Sequence, residues 1–316
     1  MNQLSMDFEA MKIVVPVHKK YKICSCGAGM QSTALALKSC ENKKALDEGK
    51  TPPFPEIPVY DLVVFCDLQK EPVHVYQQVA FIEKACDGVG INFVVLKEGD
   101  GYGKSLYDDY MEHFGIKSVR SIPFWTLEEI KQEDGSILEK KGKMPRNCTL
   151  DYKIHIIQKF VKYELLGYKK YQRMRQEDLN AHEMHIGFSY EERQRCKENP
   201  HPMFVNKFPL VDLKLERKHN YAYCLDQWGL KTQASACLIC PFHTNHFFRS
   251  LKNEKPDEYN LVVQFDEMLE ERQPMSKIKS KLFLSKSRKR IAELRADECN
   301  DQEFFEYRGQ LVGNGF

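Results

Sequence analysis

Hydrophobic and polar residues alternate in blocks along the first third of the chain. Three short apolar runs, at 21–26, 59–65 and 91–96, have the length and composition of strands buried on both faces. From Val75, apolar residues recur at i, i+4, i+7 and i+11, which is the period of a helix beginning at Pro72. Strands that alternate with amphipathic helices predict right-handed βαβ units and a Rossmann-like, doubly wound parallel sheet in an α/β fold.

The pattern is weaker in the rest of the chain. Glycines at 99–103 and a polar stretch at 132–143 predict exposed loops. Ordered elements are predicted again further on, namely a helix over 151–166, a strand over 185–188 and a helix over 221–228. Residues from Pro256 onward predict a helical C-terminal extension. We therefore divide the chain into an N-terminal extension at 1–20, an α/β domain at 21–250 and the extension at 251–316.

The first predicted strand leads into a loop of small residues and then into a helix. Ligands bind at the carboxyl ends of the strands in such a sheet, and this loop lies there. Small residues let backbone N–H groups approach an anion, hydroxyls add donors, and the following helix directs its positive end at the bound charge. The residues predicted to bind a nucleotide here are Gly27, Ala28, Gly29, Gln31, Ser32 and Thr33. Their spacing matches neither a P-loop, which needs a lysine, nor G-x-G-x-x-G.

This loop and four later segments resemble, in order, the motifs of the PP-loop ATP pyrophosphatases and their phosphoadenosine-phosphosulfate (PAPS) reductase relatives. The loop is similar to S-G-G-x-D-S, with Gln31 where the family has aspartate. Segment 67–76 resembles the family motif D-T-G-x-E-x-P-x-x-Y, and segment 146–153 resembles R-x-C-T-x-x-x-K. Segment 187–195 resembles G-I-S-x-x-E-x-x-R, and segment 235–242 resembles S-x-C-x-x-C-P-F. The resemblance covers about residues 21–250. It implies a fold of the adenine nucleotide alpha hydrolase type and a site for ATP or an adenylyl nucleotide.

Charged residues in these segments suggest how a nucleotide would be held. Asp67 and Glu71 have the oxygen ligands that Mg²⁺ prefers, although Glu71 could instead cap the helix at Pro72. Lys153 and Arg195 could bind phosphate or sulfate, and each could equally be a solvated surface charge. Gln31 removes a charge that the family usually has near the nucleotide.

Three cysteines are predicted to hold a metal. Cys237 and Cys240 are separated by two residues, so both sulfurs can face one ion. By resemblance, Cys148 matches a cysteine that lies against such a pair in the iron–sulfur members, which implies a [4Fe–4S] cluster on these three residues. Asn147 stands where adenylyl-sulfate reductases have another cysteine. Three ligands leave one iron open, as in the PP-loop tRNA thiolases. The resemblance implies Asp67, Cys148, Lys153 and Arg195 as catalytic residues.

Other assignments of these residues stay open from the sequence. Cys196 or Cys224 could supply a fourth cluster ligand. Cys237 and Cys240 could instead bind structural Zn²⁺ together with His243, His246 or both, and Cys148 could be a buried structural residue. A PAPS reductase would need a nucleophilic cysteine near the C-terminus. The candidate there, Cys299, is flanked by carboxylates that would raise its thiol pKa.

Composition and charge mainly exclude classes of protein. The 316-residue chain is 42% hydrophobic and 29% charged, as globular proteins are. A net charge of +2 gives no general attraction to nucleic acid or membrane. The basic segment 277–290 could bind nucleic-acid phosphates, or could be a solvated helix face. With no apolar run near the roughly 20 residues of a membrane span and no apolar signal at 1–11, we expect a cytoplasmic protein with reduced cysteines.

These features together predict ATP-dependent adenylation coupled to sulfur transfer onto tRNA or another nucleic-acid base, including DNA. A separate protein would donate the sulfur, no membrane would be involved, and the enzyme could be a homodimer. Two alternatives remain from the sequence. One is reduction of PAPS or adenylyl sulfate, and the other is a non-catalytic, zinc-stabilised subunit that binds a nucleotide.

Overall fold

A computed structural model of the chain describes residues 19–298. Cys299, the candidate nucleophile of a PAPS reductase, lies outside the described residues. The strands are, in chain order, β1 Lys22–Ser25, β2 Leu62–Cys66, β3 Asn92–Leu96, β4 Trp125–Lys131, β5 Ile137–Lys143, β6 His182–Ile186, β7 Phe204–Lys207 and β8 Lys281–Phe283. The helices are α1 Met30–Asp47, α2 Val73–Asp87, α3 Leu106–His113, α4 His155–Phe160, α5 Pro209–Asp212, α6 Arg217–Trp228, α7 Asn245–Glu254 and α8 Pro256–Arg272. Turns of π-helix at Leu150–Ile154 and Val161–Leu165 extend α4 at both ends.

The central sheet has five parallel strands among the described residues, in the order β3-β2-β1-β6-β7. Ile23 of β1 pairs with Leu62 on one side and Met184 on the other. The chain winds outward from β1 through β2 and β3, and then continues on the opposite side with β6 and β7. This arrangement confirms the predicted doubly wound α/β fold. It also makes the carboxyl end of β1 the point where the winding reverses, which is where such sheets bind ligands.

Both faces of the central sheet are covered, which explains why its strands read as unbroken apolar runs. Because side chains of a strand alternate between faces, neighbouring residues of β1 enter different cores. Cys24 packs with Leu35 of α1 and Val79 of α2. Ile23 packs in another cluster that contains Ile156 of α4. The helix layers therefore hold β1, and the loop that follows it, from both sides.

A second, antiparallel sheet occupies the region from which the sequence predicted only loops. β4 and β5 form a hairpin, and β8 pairs with the other edge of β4, so that Trp125 lies opposite Phe283. The exposed, lysine-rich surface of β5 hides the strand pattern. The C-terminal region is helical through α8, as predicted, but then forms the strand β8 because Leu282 and Phe283 are buried against the hairpin.

The second sheet and the C-terminal helices share a core of their own. Tyr110 of α3, Phe124, Phe265 of α8 and Leu282 of β8 belong to one buried cluster. The same cluster contains Leu238, from the cysteine-containing segment. The second core therefore reaches that segment directly. Within residues 19–298, no helix has the length and apolar character needed to cross a membrane.

Candidate functional site

The loop between β1 and α1 has the geometry of an anion-binding turn. Gly29 precedes the helix, and among residues 19–298 no side chain caps the first amides of α1. The Ser32 hydroxyl accepts a hydrogen bond from Gly27 N at 3.2 Å and donates to Gly29 O at 3.2 Å. Ala28 adopts a left-handed conformation with φ of 53°. Thr33 is fully buried, and its hydroxyl has no hydrogen-bond partner among the described residues.

A glycine directly after the neighbouring strand lets the backbone pack closely against this helix end. Gly187 follows β6, and a Cβ atom there would lie 2.7 Å from Ser32 N. Any side chain at this position would push against the start of α1. The glycine of the 187–195 segment is therefore explained by close backbone approach at the switch point of the sheet.

The glutamine that replaces the family's aspartate belongs to a buried hydrogen-bond network. Gln31 Nε2 donates to Glu192 Oε2 at 2.8 Å, and both side chains are buried. Glu192 also accepts a hydrogen bond from Ser189 Oγ and pairs with Arg217, at 2.8 Å, and with Arg195. An aspartate at position 31 would put a second carboxylate beside Glu192. The amide of Gln31 avoids that repulsion and donates a hydrogen bond to Glu192 instead.

Asp67 lies at the carboxyl end of β2 and holds a tight turn. Its Oδ1 accepts hydrogen bonds from Gln69 N at 2.7 Å and from the Tyr76 hydroxyl at 3.1 Å. Gln69 and Lys70 are both left-handed, with φ of 54° and 55°. The family has glycine where this chain has Gln69, and that conformation is the reason a glycine is favoured there.

Glu71 is buried at the next position and points toward the cysteines. Its Oε1 lies 3.8 Å from Lys153 Nζ, and its Oε2 has no hydrogen-bond partner among the described residues. Burial raises the pKa of Glu71, and Lys153 opposes that rise. The carboxylate also acts electrostatically on Cys237 and Cys240. Its surroundings are therefore those of a group shared between the nucleotide side and the cysteine side of one site.

The segment that contains the cysteine pair is packed against the β1–α1 loop. A Cβ atom added to Gly29 would meet Ser235 Oγ at 2.9 Å, so the two backbones lie close together. The buried side chain of Gln78 on α2 links them, because its amide donates to Ala28 O at 2.5 Å and to Gln233 O at 3.3 Å. The sequence motifs gave no reason to select Gln78, which lies outside all of them.

Cys237 and Cys240 form a tight turn with interacting thiols. Cys240 N donates to Cys237 O at 3.0 Å. A hydrogen bond between the two thiols lowers the pKa of Cys240, helped by the charge of Arg146, and raises the pKa of Cys237. His243 stabilises the turn, since its Nε2 donates to Cys237 O at 2.9 Å and its ring stacks on Phe247 at a centroid distance of 3.5 Å.

Cys148 approaches this pair from the start of the helical region that contains α4. Its backbone N–H donates to Ser121 O at 2.9 Å, and Ser121 N in turn donates to the Tyr110 hydroxyl at 2.8 Å. Burial raises the pKa of the Cys148 thiol, and Arg146 opposes the rise. The electrostatic interaction between Cys148 and Cys240 shows that they share one environment. Cys148 and Cys237 also pack against the same buried cluster. The metal-binding role of the three cysteines stays a prediction.

The surroundings of the cysteine pair bear on the two metal sites that the sequence suggests. Among residues 19–298, no three histidine, cysteine, aspartate or glutamate side chains could share one metal ion as they stand. The ligands of a cubane cluster bind different irons, so they need not crowd around a single ion. His243 bonds a carbonyl through Nε2, and burial lowers its pKa to about 3, while His246 Nε2 bonds Ser250 Oγ. Cys224 packs instead against Ala34 and Leu37, away from the predicted ligands.

Three cations surround the space between the loop and the cysteines. The guanidinium of Arg195 lies 4.4 Å from the centre of the Phe188 ring. Burial lowers the pKa of Arg195, Glu192 opposes the shift, and the positive charge of nearby Arg146 lowers it further. Lys153 interacts with Glu71 and with the thiols of Cys26 and Cys148. Positive charges that destabilise one another are typical of a site for an anion.

Comparisons with known proteins give one distant likeness. No family model matches the chain, and no curated protein matches its sequence. A solved structure, U34-tRNA thiolase NcsA from Methanococcus maripaludis with its [4Fe–4S] cluster, is 14% identical, with a TM-score of 0.36, over 90% of this chain and 82% of that chain. This similarity is too weak to assign a family or an activity.

A cavity of about 410 Å³ opens beside the site, at the carboxyl ends of β2 and β3. Asp67 and Tyr76 line one side, and Lys97 and Glu258 also line it. Glu258 of α8 accepts a hydrogen bond from Val73 N at 3.0 Å. Sequence motifs could not indicate Lys97 or Glu258, because each lies outside them and reaches the cavity only through the fold.

Proposed function

We propose that this chain is an ATP-dependent sulfurtransferase that adenylates a base of tRNA or another nucleic acid and replaces the activated oxygen with sulfur. The observation that supports this best is the packing of the cysteine segment on the anion-binding turn, through Ser235 and Gln78. A site for a triphosphate and a site for sulfur chemistry are then adjacent. Their adjacency is what a reaction in two stages at one substrate atom requires.

In this proposal the β1–α1 loop binds the phosphates. Backbone N–H groups at the start of α1 would hold the anion. Asp67 would bind the Mg²⁺ that accompanies ATP. Lys153 and Arg195 stabilise the negative charge that develops as pyrophosphate leaves, which is where a fixed positive charge lowers the barrier most.

Cys148, Cys237 and Cys240 would hold a [4Fe–4S] cluster. When bound, a cluster held by these three cysteines would supply the site for the sulfur that is transferred. Arg146 and His243 support the thiolates, since Arg146 stabilises the negative charge of Cys240 and His243 fixes the turn of the pair. Attack of sulfur on the adenylated carbon then releases AMP.

The test is performed on protein purified without oxygen. We expect about four irons and four acid-labile sulfides per chain, formation of pyrophosphate from ATP in the presence of the acceptor RNA, and thionucleosides in the digested RNA by mass spectrometry. Changing Cys148, Cys237 or Cys240 to Ala should remove the iron, whereas Cys224→Ala, a buried cysteine in another cluster, should retain it. One zinc and no iron in the wild type would rule out the proposal.

A further inference from the structure

Two aromatic rings lie beside the cysteine pair, one from the hairpin of the second sheet and one from the segment that contains the cysteines. Trp125 begins β4, and Phe242 follows Cys240 by two residues. Their ring centres are 6.5 Å apart and the rings are nearly perpendicular. Trp125 Nε1 donates to Pro241 O at 2.7 Å, which fixes the hairpin against the cysteine segment. Both rings are only partly buried, so part of each faces solvent.

Three cations surround these rings. Lys143 Nζ lies 5.5 Å from the centre of the Trp125 ring and 4.8 Å from that of Phe242. The guanidinium of Arg146 is 5.7 Å from Phe242, and that of Arg288 is 5.7 Å from Trp125. We call these five residues the aromatic–cation cluster.

Hydrogen bonds from Arg288 fix the cluster in place without neutralising the positive charge of that side chain. Arg288 donates to the main-chain carbonyls of Thr126 and Gly142, at 3.0 and 3.3 Å, and carbonyls do not remove a positive charge. Lys141 lies on the same face of β5 as Lys143 and pairs with Glu139 at 3.1 Å, so the positive charge of this surface comes from the three cations of the cluster. The cluster thus combines aromatic faces with a basic surface, which is the composition of single-stranded nucleic-acid sites.

We propose that the aromatic–cation cluster binds an unpaired nucleotide segment of the nucleic-acid substrate, with a base stacked on Phe242 and phosphates on Lys143 and Arg288. This inference rests on the proposed function and specifies how its substrate is held. A base must leave its helical stack before an enzyme can modify it, so a stacking surface is needed near the reacting groups. The cluster is near them, because Phe242 lies two residues from Cys240 and Arg146 two from Cys148.

The chain contains a matched control at the opposite edge of the central sheet. Phe81 and Trp228 have centres 6.2 Å apart and are also nearly perpendicular. They line a groove of about 610 Å³ together with Lys44 and Lys84, but also with acids, Asp47 and Glu48. Acids beside the rings repel phosphates, so this second pair should not bind nucleic acid.

The experiment measures binding of a fluorescently labelled tRNA transcript by anisotropy, without ATP, to anaerobically purified protein. Phe242→Ala should weaken binding roughly 5-fold to 100-fold, the effect of losing one stacked base. Lys143→Ala should weaken binding and reduce the slope of log K against log salt by about 0.7, as expected for one lost phosphate contact to a single strand. Phe242→Tyr, which retains a ring, and the controls Phe81→Ala and Lys84→Ala should bind within about twofold of wild type.

The outcomes separate this inference from the proposed function. If the wild type binds tRNA and both cluster variants bind equally well, the cluster does not hold the substrate, and the sulfurtransferase proposal stands. If the wild type binds no nucleic acid, both fail. Single-stranded DNA that binds as tightly as tRNA, with the same loss in Phe242→Ala, supports the cluster and points to a DNA acceptor. Circular dichroism and the iron content of each variant test for a folding defect. If Phe242→Tyr binds as weakly as Phe242→Ala, a base does not stack on the ring at this position.

Discussion

Replacing Gln31 by Glu should destabilise the protein through one buried contact. The Gln31 amide donates to Glu192 Oε2 at 2.8 Å, and the substitution puts a carboxylate of similar length in its place. Two like charges about 4 Å apart repel by about 4 kcal/mol at an effective dielectric constant of 20. Arg195 and Arg217 already pair with Glu192 and offset part of this repulsion. We therefore expect the free energy of unfolding to fall by about 2–4 kcal/mol at pH 7.

The assay is urea denaturation of Gln31→Glu, Glu192→Gln and the double variant. Exchanging amide and carboxylate restores one charge and one hydrogen bond, so the double variant should recover most of the loss. The new carboxyl would have a folded pKa above its unfolded value of about 4.3. The loss should therefore be complete at neutral pH and disappear as the pH falls below about 4. A Gln31→Glu variant within about 0.5 kcal/mol of wild type would refute this account of the substitution.

Three further outcomes follow from single residues. Burial lowers the pKa of Lys38 to about 8, so the unfolded chain binds more protons between about pH 8 and 10.4. Urea melts should show stability rising with pH over that range, by at most about 3 kcal/mol, and Lys38→Met should abolish the rise. Gln69 has a left-handed φ of 54°, which glycine adopts without strain, so Gln69→Gly should raise the free energy of unfolding by about 0.5–1 kcal/mol. An unchanged or lower free energy of unfolding would show that the backbone at Gln69 is not strained. Cys148→Ser should lose bound iron, measured colorimetrically, whereas Cys196→Ser should not, since Cys196 interacts with Asp212 and Arg195 rather than with the cysteine pair.

The parts of the fold that the sequence predicted are those with local signals. Each strand of the central sheet between 21 and 96 is a short apolar run next to a helix, and both appear with nearly the predicted limits. The second sheet could not be predicted in this way. β8 pairs with β4 across more than half of the described chain, and β5 is exposed throughout most of its length. Neither strand has the period of a half-buried strand when read alone.

The candidate site shows the same division. Residues in the resembling motifs, such as Gln31 and Asp67, follow β1 and β2, and parallel strands place their carboxyl ends at one edge. Their roles in binding and catalysis stay predictions. Residues that hold the site together, such as Gln78 and Ser121, act through hydrogen bonds with backbone atoms of other segments. A glutamine or serine with such a role has no distinctive neighbours in the sequence, so only the folded chain identifies it.

The cysteine segment, residues 235–242, contacts both the β1–α1 loop of the central sheet and the hairpin of the second sheet. Ser235 lies against the nucleotide loop, and Pro241 accepts the hydrogen bond from Trp125 of the hairpin. A displacement of this segment would therefore alter the phosphate site and the aromatic–cation cluster together. Suppose that a bound nucleotide changes the affinity of the protein for RNA by some factor. Thermodynamic linkage then requires that bound RNA change the affinity for the nucleotide by the same factor. If the loop binds a nucleotide and the cluster binds RNA as proposed, this segment is a direct structural connection between the two sites.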